Sequence, residues 1–454
     1  MKSFNEYLLC ESVFTNREGE YGYVGKSKII DGLQFQLKTL IKKKLNEIVF
    51  SKEKNKVKKF IDQGAGEYFL KISSTKEEKK PSVASTNRFV HTGTLKEALF
   101  SIFGDELDQL DFEEQANKLN EKLQMINNIN SEEGEKLLDE ITDKISKSLN
   151  KRPKQLLGSN MKLEHSNIGT LIFKKIGFPA FHSIFYDELE KKWRLLRTCP
   201  SAGSCVGLCF GGNGMFVMTS KHAVSGTRVV NFIMNDPDGF VNQLAKEIKA
   251  ASKTSGKKDK QLYIRVHDVG DFFSEYYFDI FMSLAKKLPD VIFFAYTKSL
   301  KLLSMKEKET GSIPDNFIFN RSEGGVFSKD EKLEDNTDAT EFFNREVHKH
   351  STIIRRTFFE NDPQLKKIQL PKISMLNYMN SDKNLPSEEK WKILKEFITK
   401  RYKLKSESLV NYQEFLEMFH KLDQKNPLNV IVFPGDGDIS ATTKGVLGTY
   451  LIEH

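Results

Sequence analysis

The fold is decided by two stretches, Leu262-Tyr263-Ile264-Arg265-Val266-His267 and Val291-Ile292-Phe293-Phe294-Ala295-Tyr296. In the first, apolar and polar residues alternate, which is typical of a strand with two different faces. The second is apolar throughout, as expected of a parallel strand that is buried on both faces. Two further apolar segments, Asn316–Phe319 and Asn429–Phe433, also have the length and composition of strands. We therefore predict at least four strands after residue 260.

Helical segments separate these strands. Asp236-Pro237 has the composition of a helix start, with an N-cap followed by proline at the first helical position. Ser274 is expected to cap a second helix. Alternation of strands and helices predicts an α/β fold with a parallel (β/α) core, either open or curled into a partial barrel.

The N-terminal third has a different pattern. Asp31–Phe50 and Glu135–Leu149 carry apolar residues at helical spacing, and Asp111–Glu114 has the composition of a capping box. Charge and Pro153 interrupt this periodicity at 150–154. We therefore predict a mainly helical, lysine-rich N-terminal region over residues 1–152 and a partly barrel-like α/β core over residues 153–454.

Composition limits the classes of protein to consider. The chain has 454 residues, a formal net charge of +8 and only four cysteines. It has no apolar run long enough to cross a membrane, and its first residues lack the apolar core of a secretory signal. These features predict a protein of a reducing compartment such as a host cytoplasm, without a membrane partner.

Three of the four cysteines fall in one short segment rich in small residues. Cys199, Cys205 and Cys209 are separated by five and three residues, most of them glycine, serine or alanine. Small residues let a loop bend closely around one centre, and thiolates select zinc or iron–sulfur clusters over hard ions such as magnesium. The segment therefore predicts a three-thiolate metal site.

The spacing leaves the metal open. A structural zinc ion usually has four protein ligands, so the fourth would come from Cys10 or His222. A 4Fe–4S cluster held by three cysteines leaves one iron open to a substrate or cofactor. We favour the cluster, with zinc as the alternative, while plain packing of buried thiols is a third interpretation.

Polar residues follow each predicted strand. In parallel α/β folds the chemistry gathers beyond the carboxyl ends of the strands. The candidate site residues there are His267, Gly270, Asp271, Lys298, Arg321, Asp436 and Asp438. His267 is a candidate acid or base near neutral pH. Lys298 and Arg321 suit a carboxylate or phosphate of the substrate, and these three residues are the catalytic candidates.

The remaining four candidates suit a cofactor. Gly270 and Asp271 offer backbone amides and one carboxylate to an amine or a ribose. Asp436 and Asp438 follow the last predicted strand and offer two carboxylates to a cofactor or cation. Their loop lacks the glutamate that closes a calcium-binding loop.

An ordered set of motifs resembles a known family. The motifs are Cys199–Phe210, Arg265–Phe272, Tyr296–Ser299, Gly435–Ser440 and Val446–Leu451. Together they are similar to an uncharacterised phage family known as gene product eighty-eight, over about 160–330 and 428–454. The resemblance implies a phage protein and brings no activity with it.

The layout resembles radical S-adenosylmethionine enzymes more distantly. In that family, three cysteines after the first strand hold a 4Fe–4S cluster, and a glycine-rich acidic motif after the next strand meets the cofactor's amino group. The resemblance implies that Cys199, Cys205 and Cys209 ligate the cluster. It also implies that Gly270-Asp271 contacts S-adenosylmethionine.

Two features of the N-terminal region suggest partners. Nine lysines stand between Lys38 and Lys59 against Glu47 and Glu53, so Lys38–Lys59 can contact nucleic-acid phosphates or form a solvated helix face. Met1–Leu8 resembles the capsid-targeting leaders of large tailed phages, and Leu9-Cys10-Glu11 resembles their cleavage site. This second resemblance implies packaging inside the virion with the capsid as partner.

These observations favour a phage-encoded iron–sulfur protein with radical S-adenosylmethionine-like chemistry on an unknown substrate. The first alternative is a zinc-stabilised nucleic-acid-binding protein that uses Lys38–Lys59. The second is an internal virion protein whose cysteines are structural.

Overall fold

The structure is a computed structural model that describes most of the chain from residue 151 onward. The described residues are 151–160, 163–164, 166–180, 182–187, 192–209, 211, 220–257, 259–326, 343–368, 387–433 and 437–453. The predicted helical region therefore lies outside the described residues, apart from Lys151 and Arg152. The lysine-rich segment Lys38–Lys59 and the leader-like Met1–Leu8 lie outside them as well.

Nine of the described strands form one sheet. In chain order they are β1 (Leu157–Gly158), β2 (Leu171–Ile176), β5 (Gln261–Arg265), β6 (Ile292–Thr297), β7 (Phe317–Ser322), β8 (His350–Ile354), β9 (Leu409–Asn411), β10 (Leu428–Val432) and β11 (Val446–Ile452). Their spatial order is β1-β2-β5-β6-β7-β8-β11-β10-β9, and every pair is parallel except β1–β2. A separate antiparallel hairpin joins β3 (His182–Asp187) to β4 (Lys192–Arg197). The predicted parallel α/β core is confirmed.

The described helices longer than one short turn number eight. They are α1 (Ser220–Asn235), α2 (Pro237–Gly256), α3 (Glu275–Lys287), α4 (Leu300–Lys308), α5 (Arg356–Asn361), α6 (Glu388–Tyr402), α7 (Tyr412–Met418) and α8 (Gly437–Thr442). Asp236 caps α2 by accepting the Gly239 amide, and Ser274 caps α3 by accepting the Tyr277 amide, as predicted. None of the described helices is long and apolar enough to span a membrane.

Two apolar cores cover the two faces of the sheet. Helices α1 to α4 pack on one face, where they meet alternate residues such as Leu262, Ile264 and Phe293. Helices α5 to α8 belong to the core of the other face, with Tyr263 and Phe294. Phe293 and Phe294 are both fully buried, so β6 is covered on both sides, as its continuous apolar sequence indicates.

The sheet curls without closing, and helix α8 crosses its inner face. Asp438 of α8 accepts a 3.0 Å ion-pair bond from Arg265 at the end of β5. Tyr296 of β6 donates to the Gly437 carbonyl at 3.0 Å, and Asn320 of β7 donates to the Ala441 carbonyl at 3.1 Å. Four strands separate β5 from β10, the strand that precedes α8. Only a curled sheet brings these ends together, which gives the predicted partly barrel-like core.

Replacing Asp438 with asparagine tests this crossing contact. Removing one partner of a buried ion pair leaves the other charge without compensation, which destabilises a protein by about 3–5 kcal/mol. We expect Asp438→Asn to lower the free energy of unfolding by this amount in urea titrations. Asp290→Asn, at an exposed carboxylate, is the matched control and should change it by less than about 0.5 kcal/mol. Equal unfolding midpoints for the two variants would contradict the role of α8 in holding the sheet.

Candidate functional site

The cysteine loop is attached by its backbone to the turn that follows β7. The Gly324 carbonyl accepts the amides of Gly203 at 3.1 Å and Cys205 at 3.0 Å. The amide of Val326 donates to the Ser201 carbonyl at 3.1 Å, and Ala202 forms an isolated β-bridge with Gly325. The middle of the cysteine loop therefore lies directly on the carboxyl end of β7.

Gly324 is a position that only glycine fills without strain. Its φ is +83°, in the left-handed region that side chains with a Cβ rarely adopt. A Cβ atom at this position would lie 3.0 Å from the Cβ of Cys205. The sequence that follows β7 therefore permits the close approach of the cysteine loop.

The two ends of the cysteine loop lie beside the segment that follows β5. The Asp271 amide donates to the Thr198 carbonyl at 2.8 Å. At the other end, a Cβ on Gly211 would lie 2.8 Å from Val269 Cγ1, so the two chains are in close contact. The loop thus spans the ends of β5 and β7, with Cys199, Cys205 and Cys209 all partly buried.

The described side chains do not form a finished metal centre. Within the ranges that the structure describes, no group of three or more His, Cys, Asp or Glu side chains is placed to hold one ion. Cys10 and the side chain of His222, the candidates for a fourth zinc ligand, lie outside those ranges. The cysteine loop supplies thiol donors at a defined position on the sheet.

Asp271 ties the end of β5 to the end of β6. Its Oδ1 accepts bonds from the Thr297 hydroxyl at 2.6 Å and the Phe272 amide at 2.8 Å, and its Oδ2 accepts the Lys298 amide at 2.7 Å. Burial raises the pKa of Asp271, while these three hydrogen bonds act against that rise. Both carboxylate oxygens therefore have protein partners, and a contact with a cofactor amine stays a prediction.

Gly270 holds the same segment close to the loop after β2. Its φ is +86°, and a Cβ there would lie 2.8 Å from the Pro179 carbonyl oxygen and 2.5 Å from the Phe178 ring. Glycine is thus required both by the backbone conformation and by the close approach. The contact of Gly270 with a cofactor stays a prediction.

His267 lies in an aromatic pocket behind the strand ends. Its Nε2 is 3.0 Å from the Tyr277 hydroxyl, and the rings of Phe178, Phe272 and Phe281 surround it. Burial, together with the nearby positive charge of Arg265, lowers the pKa of His267 to about 3. An imidazole of this pKa stays neutral at pH 7 and is a weak base, so its acid–base role stays a prediction.

Lys298 and Arg321 do not share a site. The Arg321 guanidinium pairs with Glu307 of α4, on the face of the sheet that α1 to α4 cover. The Lys298 ammonium instead donates to the Ser322 hydroxyl at 2.8 Å. Residues 321 and 322 are neighbours in β7, so their side chains point to opposite faces. Ser322, which the sequence interpretation missed as a site residue, is the partner of Lys298 in place of Arg321.

Asp438 faces a cation that belongs to the protein. Its partner is the Arg265 guanidinium, which also donates from Nε to the His267 carbonyl at 3.0 Å and lies 4.9 Å from the centre of the Tyr296 ring. Asp438 has no exposed surface. Asp436, its predicted companion, lies outside the described residues. The predicted contact of this pair with a cofactor or cation remains a prediction.

One comparison with known proteins gave a match. Residues 144–352 match the family model described as Gene product 88. The matched region contains the cysteine loop and the ends of β5, β6 and β7, which supports the resemblance to the phage family over this part of the chain. The match does not extend to 428–454, where the last two motifs lie.

The other comparisons gave no relatives. Neither the search of curated proteins nor the search of solved structures found a match. The distant relationship to radical S-adenosylmethionine enzymes therefore has no support from any comparison.

Substitution of Gly324 tests the attachment of the cysteine loop. We expect Gly324→Ala to speed hydrogen exchange at the Gly203 and Cys205 amides, because the new Cβ displaces both donors from the carbonyl. Gly311→Ala is the matched control, since Gly311 has φ +71° and open space around its Cβ position. In both variants an alanine adopts a left-handed backbone conformation, which costs about 1–2 kcal/mol. Only in Gly324→Ala does the new Cβ also press against Cys205. Unchanged exchange at Cys205 in Gly324→Ala would show that this carbonyl does not hold the loop.

Proposed function

We propose that this chain is an iron–sulfur protein whose cluster is held by Cys199, Cys205 and Cys209. The observation that carries the proposal is the backbone attachment of the cysteine loop across the ends of β5 and β7. The carboxyl ends of parallel strands are where α/β proteins bind their ligands. A loop fixed there presents its thiols at the edge of the sheet where cofactors and substrates gather.

The donor set of the loop supports a thiolate-held centre. No histidine, aspartate or glutamate lies between Cys199 and Cys209, so thiolate is the strong metal donor in the loop. Three thiolates fall one short of the ligand number of a structural zinc site. They suffice for a cluster that keeps one iron open.

The arrangement of the loop requires side-chain movement before a cluster binds. The described thiols do not converge on one point, whereas the backbone of Cys205 is fixed by its bond to Gly324. Loading therefore requires Cys199 and Cys209 to turn toward Cys205. The small residues between them make this adjustment inexpensive. When bound, the cluster would supply electron transfer or an open iron site, and the protein would supply position and shielding.

Metal analysis of protein purified without oxygen tests the proposal. We expect about four iron atoms and about four sulfide ions per chain. Cys205→Ser should abolish loading, because a three-ligand site does not tolerate the loss of one thiolate. Cys10→Ser is the matched control and should load normally.

Four outcomes of this test would contradict the proposal. Zinc without iron would favour the zinc-stabilised alternative, in which Lys38–Lys59 contacts nucleic acid. Loading that survives in Cys205→Ser, or fails equally in Cys10→Ser, would mean that the three-cysteine site is wrong. Protein without metal would favour structural cysteines, as in the internal virion alternative. Location in the host cytoplasm or inside the virion stays a prediction in each case.

Radical S-adenosylmethionine chemistry is the finer form of the proposal. It predicts that S-adenosylmethionine gives a binding heat with the iron-loaded wild-type protein and none with Cys205→Ser. The wild type is the suitable probe, because changing Asp271 would also break its bonds to Thr297 and Lys298. No heat with fully loaded wild-type protein would reject this cofactor and leave an electron-transfer or structural cluster.

A further inference from the structure

We propose that Lys298 and Ser322 form a subsite for an anionic group, a phosphate or a carboxylate, at the ends of β6 and β7. The proposal goes beyond the cluster and does not depend on it, because it stands on the charges and hydrogen bonds of these two side chains.

Among the described residues, the ammonium of Lys298 differs from several nearby cations in its partner. Four other cations on or beside the strands pair with a carboxylate, as Lys175–Asp268, Arg265–Asp438, Arg321–Glu307 and Arg345–Glu323, whereas Lys349 donates to the Thr443 and Val446 carbonyls. Within the described part of the chain, no carboxylate forms an ion pair with Lys298, whose ammonium bonds to the Ser322 hydroxyl. Asp271 interacts with the Lys298 charge through space without forming an ion pair with the ammonium, and a partly buried ammonium that lacks a direct ion pair favours binding an anion from solution.

The hydrogen bond between Lys298 and Ser322 leaves a donor free on each side chain. Lys298 donates, so the Ser322 oxygen is the acceptor at 2.8 Å. The hydroxyl hydrogen of Ser322 then points elsewhere, and no described acceptor receives it. The ammonium, with further N–H groups, and this hydroxyl are therefore two adjacent donors that one oxyanion can accept together.

The backbone of Lys298 has a fixed position at the end of β6. Its amide donates to Asp271 Oδ2 at 2.7 Å, and its ammonium interacts with this carboxylate only through space. Its Cβ lies 3.0 Å from where a Cβ would stand on Gly325, the residue that bridges to Ala202 of the cysteine loop. An anionic group bound by Lys298 and Ser322 would therefore lie next to the cysteine loop.

Lysine labelling read by mass spectrometry tests the subsite without any variant. Wild-type protein is acylated in the presence of inorganic phosphate or acetate, with ionic strength kept constant by sodium chloride. We expect one of the two anions to slow labelling of Lys298 in a saturable way. Lys301, exposed at the start of α4, is the internal control and should be labelled at the same rate throughout. Stronger protection by phosphate assigns a phosphate group, and stronger protection by acetate assigns a carboxylate.

Variants of Lys298 and Ser322 provide an independent measurement of anion binding. They also distinguish specific binding from general screening of charge by salt. Ser322→Ala should weaken the protecting anion about tenfold, the effect of losing one hydrogen bond to a charged group. The same anion should raise the melting temperature of the wild type and of Lys301→Gln, but not of Lys298→Gln. Protection of Lys298 by neither anion, equal protection by chloride, or unchanged binding in Ser322→Ala would each overturn the proposal. Because no metal is needed, loss of the cluster would leave these results unchanged.

Discussion

The carbonyl oxygen of Gly324 is the constraint on which the candidate site depends. It accepts two amides of the cysteine loop, from Gly203 and Cys205, and so converts a flexible, glycine-rich segment into one with a fixed position. A buried amide left without a partner costs about 1–3 kcal/mol, so both bonds disfavour other positions of the loop. The positive φ of Gly324 makes the arrangement possible, because a side chain there would push against Cys205. As a consequence, the cysteine loop lies beside Lys298 and Ser322 at one edge of the sheet.

The interior of the curled sheet is filled by the protein itself. Helix α8 lies across β5, β6 and β7, and its bonds to Arg265, Tyr296 and Asn320 satisfy polar groups on the inner face. Buried polar groups of this kind stabilise a fold when every member is satisfied. The contacts of α8 therefore stabilise the region beneath the strand ends, and the cysteine loop lies above the ends of β5 and β7. Burial and Arg265 keep His267 of the same region neutral, and its acid–base role stays a prediction.

Local patterns in the sequence predict individual strands and helices better than they predict the order of the strands in the sheet. Apolar runs and caps such as Asp236 and Ser274 predict β5, β6, β10 and the starts of two helices, because these depend on neighbours in the chain. The insertion of β11 between β8 and β10 depends on long-range pairing, which periodicity does not encode. The same limit explains Asp438, whose partner Arg265 is distant in sequence and adjacent only after the sheet curls. The position of Arg321 could have been predicted from the sequence. Side chains alternate along a strand, so Arg321 lies on the same face as Phe317 and Phe319, which α1 to α4 cover.

The proposed iron–sulfur cluster would be held by the cysteine loop above β5 and β7. Anomalous diffraction at the iron absorption edge tests it most directly, with crystals grown from protein purified without oxygen. The account predicts a compact iron peak bounded by the sulfur atoms of Cys199, Cys205 and Cys209, beside the Gly324 turn. No iron at this loop, or an anomalous peak from zinc in its place, would contradict the claim.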